Sequence, residues 1–237
     1  MRIGIVGGTG NMGKGLALRW SLNHEIYLGS RYQDNARSVA RSYSGIARGY
    51  HGERMRGRIE GGLNPEIVRF SDVVVVAIPS QYATEVMRNV KTSLRPEQAV
   101  ISTVVPMTRV RGLFEYRPFP SEQGSAPLSA AEMIAKEIAP TPVVSAFQTV
   151  PASYLADLDS ILNIDVLISG DSEEALEVAS DLVREIPNLR PLRVGPLVNS
   201  RLVESITPLL LNAAVLNNLR EPSIRIVPWV PSDFEKQ

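Results

Sequence analysis

The stretch GIVGGTGNMGKGLALRW, from Gly4 to Trp20, places six glycines within its first twelve residues. Residues 2–6 predict a short buried strand, and residues 11–22 predict a helix. Gly8, Gly10 and Gly13 have the spacing G-x-G-x-x-G between these two elements. A strand, this fingerprint and a helix in that order predict a turn that binds the pyrophosphate of a dinucleotide.

Each glycine of the fingerprint has a predicted role. Gly8 is expected to permit the tight turn, Gly10 to let the backbone approach a pyrophosphate, and Gly13 to let the helix pack against the strand. The N–H groups at the helix start, including those of Asn11 and Met12, would then face the pyrophosphate. A glycine-rich turn without a ligand is the alternative, and the order of strand, fingerprint and helix favours the ligand.

Strand and helix patterns alternate along the rest of the chain. Further strands are predicted at residues 24–31, 72–79, 99–106, 142–147, 164–170 and 189–195, and further helices at 34–43, 82–94, 129–138, 171–186 and 198–219. This alternation is typical of a parallel α/β sheet with flanking helices. The sequence therefore predicts an α/β protein of the Rossmann type, with a doubly wound parallel sheet and a small C-terminal α/β domain.

The residues after the second predicted strand indicate which dinucleotide binds. An NAD site usually carries Asp or Glu about 20 residues beyond the fingerprint. This chain has the run Leu28-Gly29-Ser30-Arg31 at that place, without an acid. The Ser30 hydroxyl and the Arg31 guanidinium suit the 2′-phosphate of NADP, and Thr9 in the glycine turn adds a hydroxyl. The sequence predicts NADP rather than NAD, with a solvent-exposed arginine as the alternative for Arg31.

The composition limits the classes of function. The 237 residues include 25 basic and 25 acidic ones, so net charge gives no reason to expect nucleic acid or a membrane surface as a partner. The chain has no cysteine and only two histidines, which argues against a thiolate nucleophile and against a metal site built from Cys or several His. No apolar run approaches the roughly 20 residues of a membrane span. We expect a cytoplasmic protein.

Residues 44–62 lose periodicity and are rich in glycine and arginine, so they are predicted to form a loop. Between Ala47 and Gly62, four arginines stand against two glutamates. One interpretation is a mobile, solvated basic loop. The other is a loop that reaches over the open end of a cleft and meets an anionic part of a bound cofactor.

The last predicted helix, 198–219, contains Pro208, which removes a backbone hydrogen bond and predicts a bend. Four apolar residues of this helix are expected in the core: Leu202, Ile206, Leu209 and Val215. Four others share a face that is expected to line the cleft or a subunit contact: Arg201, Ser205, Pro208 and Asn212. Glu204 is expected to pair with Arg201.

Four segments together resemble the NADPH-dependent F420 reductases, also called coenzyme F420:NADP oxidoreductases. They are GGTGNMGKGLALR (7–19), GSR (29–31), SAFQTVPA (145–152) and GPLVNSRLVESITPLLLN (195–212). Members of this archaeal and bacterial family pass a hydride between NADP and a deazaflavin. The resemblance implies an NADP-binding Rossmann domain in residues 1–146 and a small C-terminal domain in residues 147–237. The second domain would close a cleft that holds both ring systems.

The resemblance also implies roles for individual residues. Thr9, Ser30 and Arg31 would hold the 2′-phosphate. Ile78 and Pro79 would line the nicotinamide side, and Val150 and Ala152 would flank the nicotinamide. Gln148 stands where the family usually has His and is assigned to the acceptor side. No catalytic residue is assigned, because hydride transfer needs two stacked rings more than it needs an acid or a base.

Other functions remain alternatives to an oxidoreductase that uses NADP and coenzyme F420. One is an NADPH-dependent reductase of a flavin, FMN or FAD, or of an imine or small carbonyl compound. Another, from a different class, is a non-catalytic NADP-binding sensor, although the chain lacks the basic recognition helix of a DNA-binding regulator. We expect small-molecule cofactors as partners, and a homodimer or a higher homo-oligomer.

Overall fold

The computed structural model describes residues 1–122 and 124–227. The strands are β1 (Arg2–Val6), β2 (Glu25–Ser30), β3 (Arg58–Leu63), β4 (Val73–Val76), β5 (Ala99–Ser102), β6 (Met107–Val110), β7 (Leu113–Tyr116), β8 (Val143–Ser145), β9 (Ile164–Gly170) and β10 (Leu189–Arg193). The helices are α1 (Asn11–Trp20), α2 (Gln33–His51), α3 (Asn64–Phe70), α4 (Ala83–Val90), α5 (Ala130–Ile138), α6 (Ala152–Ala156), α7 (Glu173–Arg184) and α8 (Ser200–Asn217).

Within the described residues, eight strands form one sheet in the order β10-β9-β8-β5-β4-β1-β2-β3, and β6 and β7 form a separate hairpin. Strand β1 pairs in parallel with β2 on one side and with β4 on the other, so the strand order reverses there. In an open α/β sheet, ligands bind outside the carboxyl ends of the strands at such a reversal. The predicted Rossmann-type fold class is confirmed.

The C-terminal part of the chain continues the same sheet. Strand β8 pairs in parallel with β5 and antiparallel with β9, and β9 pairs in parallel with β10. The predicted domain boundary between residues 146 and 147 therefore lies between two paired strands. The division into two domains stays a prediction.

Helix α1 binds the N-terminal and C-terminal parts together. A Cβ atom on Gly15 would lie 2.4 Å from Cβ of Leu155, so only glycine lets α6 pack this close. The guanidinium of Arg19 donates to the backbone oxygens of Tyr154, Leu155 and Asp157 at the end of α6. At the end of α1, the buried Trp20 indole donates to the Leu182 oxygen of α7 at 2.9 Å.

The loop predicted over residues 44–62 is wrong, because α2 runs to His51 and β3 and α3 follow. The buried residues of α2 recur at helical spacing: Ala36, Ala40, Tyr43, Ala47 and His51. Glycines that suggested a loop instead allow close packing. A Cβ atom on Gly61 would lie 2.2 Å from the Ala36 oxygen, and one on Gly57 would lie 1.8 Å from the His24 oxygen.

The short connection between α2 and β3 lies far from the carboxyl ends of the strands. Arg56 donates its backbone N–H to the Leu22 oxygen at 2.7 Å, and Gly57 donates to the Ser21 oxygen at 3.1 Å. Both acceptors follow the end of α1, at the sheet edge opposite the glycine turn. The interpretation of this basic segment as a cofactor-facing loop is therefore wrong.

The two faces of α8 are the reverse of the prediction. Leu202 and Leu209 are 69% and 66% exposed, and Val215 is also exposed, whereas Pro208 is buried. Ile206 is half-buried. The face that carries Pro208 packs against the protein because its polar members find partners there.

Those partners lie outside α8. The Asn212 amide accepts from the N–H of Phe114 at 2.7 Å and donates to its carbonyl oxygen at 2.8 Å, which fixes the hairpin to the helix. Arg201 forms a bidentate ion pair with Glu132, with both distances 2.6 Å, rather than with Glu204. The predicted pairing of Arg201 with Glu204 is wrong.

Glu204 is instead a buried carboxyl that joins three elements. It accepts from the backbone N–H groups of Ala130 and Ala131 at the start of α5, and from the Tyr116 hydroxyl at 3.2 Å. Burial raises the pKa of Glu204 to about 7. The three hydrogen bonds favour the charged form and lower the pKa, but their effect is smaller than that of burial. The nearby carboxylate of Glu132 raises the pKa further.

Glu204 is expected to make stability depend on pH. Its folded-state pKa lies above the unfolded value of 4.5, so its contribution is fully present below about pH 4.5 and is lost as the pH rises through 7. The loss amounts to about 3 kcal/mol. Urea unfolding between pH 5 and 8 should show this fall in wild type and in the exposed control Glu53→Gln, but not in Glu204→Gln. A Glu204→Gln variant with the wild-type pH slope would contradict the assignment.

Candidate functional site

The glycine turn follows β1 at the centre of the sheet. Gly7, directly before Gly8, has a φ of +74°, a left-handed conformation that favours glycine. Gly8 donates its N–H to the oxygens of Ile5 and Gly29 at 3.0 and 3.1 Å. A Cβ atom on Gly13 would lie 2.5 Å from the Gly8 oxygen, which confirms that Gly13 lets α1 pack against the turn.

Gly10 differs from these packed glycines. The nearest atom to a Cβ built on Gly10 is the Gly7 oxygen at 3.6 Å, so Gly10 borders open space. Gly10 also precedes α1 without a side-chain cap, and the first turn of α1 has no acidic residue. The N–H groups at the start of this helix are therefore left for an anion.

A pocket of about 360 Å³, here the strand-end pocket, lies over this turn. It is lined by residues that follow four adjacent parallel strands, β4, β1, β2 and β3. It brings together six of the predicted site residues: Thr9, Gly10, Ser30, Arg31, Ile78 and Pro79. Gly8 and Gly13 do not line it and lie behind the turn.

A second, mostly apolar pocket of about 350 Å³, here the interhelical pocket, lies on the other side of the start of α1. It brings together the other five predicted residues: Asn11, Met12, Gln148, Val150 and Ala152. Its further wall comes from α8 and from the segment with Glu221 and Pro222. Gly10 lines the strand-end pocket and Asn11 lines the interhelical pocket, so the two pockets meet at the start of α1.

The predicted nicotinamide residues are divided between these pockets. Ile78 and Pro79 line the strand-end pocket, whereas Val150 and Ala152 line the interhelical pocket. A ligand that contacts all four must cross the start of α1. The roles assigned to these residues stay predictions.

Gln148 is fixed in the wall of the interhelical pocket. Its amide nitrogen donates to the Ser102 oxygen at 2.8 Å and to the Ser145 hydroxyl at 2.9 Å, and its Oε1 atom is buried without a hydrogen-bond partner. The preceding residue, Phe147, has a φ of +71°, a conformation that an aromatic residue rarely adopts. Its ring packs edge-on against Trp20 at 5.7 Å, so the core holds this unusual turn in place.

An outer groove of about 650 Å³ continues from the strand-end pocket. Ser30, Arg31, Asn64 and Val86 line both cavities. Asn64 is buried. A Cβ atom built on Gly29 would lie 2.4 Å from the Asn64 Oδ1 atom, so glycine is required for this close packing.

Sequence reasoning missed Asn64 and two tyrosines that surround Arg31. The Arg31 guanidinium lies 5.9 Å from the ring centre of Tyr32 and 5.4 Å from that of Tyr82. Asn64 follows β3, and the sequence predicts a loop in place of that strand, so no pattern indicates a site residue there. The buried residues of α2 recur at helical spacing, and this spacing is the sequence signal that would have revealed a helix in place of the start of the predicted loop.

Metal chemistry has no candidate centre in the part of the chain that the structure describes. Across residues 1–122 and 124–227, no three His, Cys, Asp or Glu side chains lie together as metal ligands would. In the same ranges, no helix is long and apolar enough to cross a bilayer. The charged side chain in the described wall of the interhelical pocket is Glu221, which contacts the Ser153 hydroxyl.

Comparison with known proteins places this geometry in context. Residues 2–106 match a family described as NADP oxidoreductase coenzyme F420-dependent. The chain is 34% identical over 227 residues to an F420-dependent NADP reductase of Methanothermobacter thermautotrophicus, covering 95% of this chain and 94% of the relative. It is 35% identical over 228 residues to the F420-dependent NADP reductase of Methanocaldococcus jannaschii, covering 95% and 98%.

Solved structures support the fold. A candidate F420-dependent NADP reductase from Arthrobacter sp. FB24 superposes with a TM-score of 0.73 at 18% identity, over 95% of this chain and 99% of that one. A 3-hydroxyisobutyrate dehydrogenase from Mycobacterium tuberculosis superposes with a TM-score of 0.58 at 15% identity, over 91% of this chain and 60% of that one. At these identities the likeness extends to the fold alone.

Proposed function

The chain belongs to the family of F420-dependent NADP reductases, and on that premise we propose that it transfers a hydride between NADP(H) and the deazaflavin coenzyme F420. The observation that carries the proposal is the meeting of two pockets at the start of α1. The strand-end pocket is lined in part by Ser30 and Arg31, and the interhelical pocket by Val150 and Ala152.

The residues present fit NADP. Gly10 leaves open space beside the uncapped start of α1, where the backbone N–H groups would bind the pyrophosphate. Thr9, Ser30 and Arg31 would hold the 2′-phosphate through two hydroxyls and a guanidinium. When bound, the nicotinamide supplies a hydride at C4, and the deazaflavin exchanges it at C5.

The protein's part is to orient two rings and to exclude water. Ile78 and Pro79 on one side, and Met12, Val150 and Ala152 on the other, give apolar walls to the two pockets where they meet. Holding two reactants at contact distance supplies much of the rate enhancement of such a transfer. Reduction of the deazaflavin also takes up one proton, and that proton would come from solvent.

Isotope transfer tests the proposed function. With deuterium at the transferred C4 position of NADPH, we expect the label at C5 of reduced F420 and not in solvent. The same reaction with FMN or FAD as acceptor provides the control. Turnover with a flavin and none with F420 would replace the proposal by a flavin reductase, and NADPH binding without any turnover would replace it by a sensor.

Gln148 is expected to influence the acceptor side only. Replacing it by histidine introduces a group that titrates near pH 6.5 into the wall of the interhelical pocket. Gln148→His should therefore add a pH-dependent change to turnover while NADPH affinity stays within about twofold. Steady-state kinetics from pH 5.5 to 8.5 check this. An unchanged pH profile and unchanged acceptor KM would remove Gln148 from the acceptor site.

We also propose that the protein is a cytoplasmic homodimer, held by the exposed face of α8. Leu202, Leu209 and Leu216 recur every seven residues, and each is more than 65% exposed. A continuous apolar stripe on a helix is typical of a subunit contact.

Leu209→Glu should shift the protein from dimer to monomer in sedimentation velocity, because it places a charge in the apolar stripe. The control Ile161→Glu changes an even more exposed apolar residue outside α8 and should leave the dimer intact. A monomeric wild type, or a dimeric Leu209→Glu, would contradict the proposed interface.

A further inference from the structure

Arg31 is a cation held by aromatic rings rather than by carboxylates. Among the described residues its guanidinium has no carboxylate partner, and the rings of Tyr32 and Tyr82 are its close neighbours. The other cation of the outer groove, Arg88, is paired with Glu137 through two bonds of 3.0 Å. Arg31 therefore keeps its charge for a ligand, whereas the charge of Arg88 is offset.

The two tyrosines differ in how well they can restrain the Arg31 guanidinium. Tyr32 follows Arg31 directly in the chain and is 68% exposed, so its contact does not fix Arg31 relative to the pocket. Tyr82 lies between β4 and α4, whereas Arg31 follows β2, so the two residues come from different strand ends. Tyr82 is 41% exposed. Its backbone N–H donates to the Pro79 oxygen at 3.0 Å, which fixes the Tyr82 backbone beside the wall of the strand-end pocket.

We propose that Tyr82 is a positioning residue that sets the preference for a 2′-phosphorylated adenine nucleotide by orienting Arg31. The inference rests on the proposed function, since it takes NADP as the ligand. The ring of Tyr82 restrains the guanidinium at the rim shared by the strand-end pocket and the outer groove, next to the Ser30 hydroxyl. A guanidinium restrained in this way loses less rotamer freedom when it binds a phosphate.

The contact is effective because a guanidinium over an aromatic face is attractive without neutralising charge. A carboxylate in the same place would hold Arg31 equally well but would repel the 2′-phosphate. Glu85 lies farther along the outer groove, where it disfavours an anion beyond the rim. The arrangement thus confines the favourable position for a phosphate to the neighbourhood of Ser30 and Arg31.

Binding of 2′,5′-ADP and 5′-AMP tests the proposal by calorimetry. We expect Tyr82→Ala to weaken 2′,5′-ADP binding about fivefold to tenfold and 5′-AMP binding less than about twofold. Tyr82→Phe keeps the ring and should bind both ligands like wild type. Phe70→Ala, which removes an exposed ring outside the site, is the control for general effects of truncation.

A double-mutant cycle separates positioning from direct contact. In an Arg31→Ala background, Tyr82→Ala should cause no further loss of 2′,5′-ADP affinity. Equal losses for both ligands, an undiminished loss in the Arg31→Ala background, or no loss at all would each overturn the proposal. Neither ligand contains a nicotinamide, so failure of hydride transfer to F420 would leave this result standing.

Discussion

Replacing Gly13 by alanine is expected to lower the free energy of unfolding by about 3 kcal/mol and to abolish measurable NADPH binding. A Cβ atom at this position would lie 2.5 to 2.7 Å from three backbone atoms of Gly8. Backbone atoms of a hydrogen-bonded turn cannot move aside as a flexible side chain can. Either α1 separates from the turn or the turn changes shape, and both displace the helix start from the strand-end pocket.

Two further glycines separate folding from binding in this experiment. Gly10→Ala meets no atom closer than 3.6 Å, so it should unfold like wild type but bind NADPH more weakly, because the methyl group enters the space left for the pyrophosphate. Gly49→Ala, on the exposed face of α2 with nothing within 4 Å, should raise stability by about 0.5–1 kcal/mol. Urea unfolding and calorimetry measure both properties. Wild-type stability and affinity in Gly13→Ala would refute the packing argument.

Arg31→Ala should weaken NADPH binding by tenfold to about a hundredfold, since a hydrogen bond to a charged group contributes about 1.5–3 kcal/mol. NADH affinity should change little, because NADH lacks the 2′-phosphate. Calorimetry with both cofactors measures the two effects on one protein. A wild type that binds NADH and NADPH equally well would contradict the predicted preference.

Arg88→Ala is the matched control for charge. It removes a guanidinium from the same groove, but one already paired with Glu137. If Arg88→Ala weakens NADPH binding as much as Arg31→Ala does, the effect is a general electrostatic one and Arg31 has no special position. Raising the salt concentration should reduce such a general effect in both variants.

The glycine turn was predictable because its constraints are local. Gly8, Gly10 and Gly13 lie within six residues of one another and contact the turn itself or the adjoining strands β1 and β2, and Ser30 and Arg31 lie at the end of β2. The strand reversal beside β1 then brings them together. The fold class follows from the alternation of strands and helices along the chain. Of the six residues in the strand-end pocket, Ile78 and Pro79 were assigned through the family resemblance rather than through this local pattern.

Other parts depended on distant contacts that no local pattern reveals. Gly57 and Gly61 look like loop residues, but each is required where another segment passes close to the backbone. Part of the polar face of α8 packs against the protein because Phe114 and Glu132 offer partners from elsewhere in the chain, while Leu202, Leu209 and Leu216 stay exposed. Polarity alone therefore assigned the two faces of α8 the wrong way round.

The division of the site into two pockets has a consequence for how such an enzyme diverges. Residues 7–86 build the strand-end pocket, whereas the interhelical pocket takes only Asn11 and Met12 from the first 106 residues and its other described residues from 107–222. One contiguous length of gene thus encodes the strand-end pocket, and a later length encodes most of the interhelical pocket. Recombination near residue 106 would exchange most of the interhelical pocket and leave the strand-end pocket inherited intact.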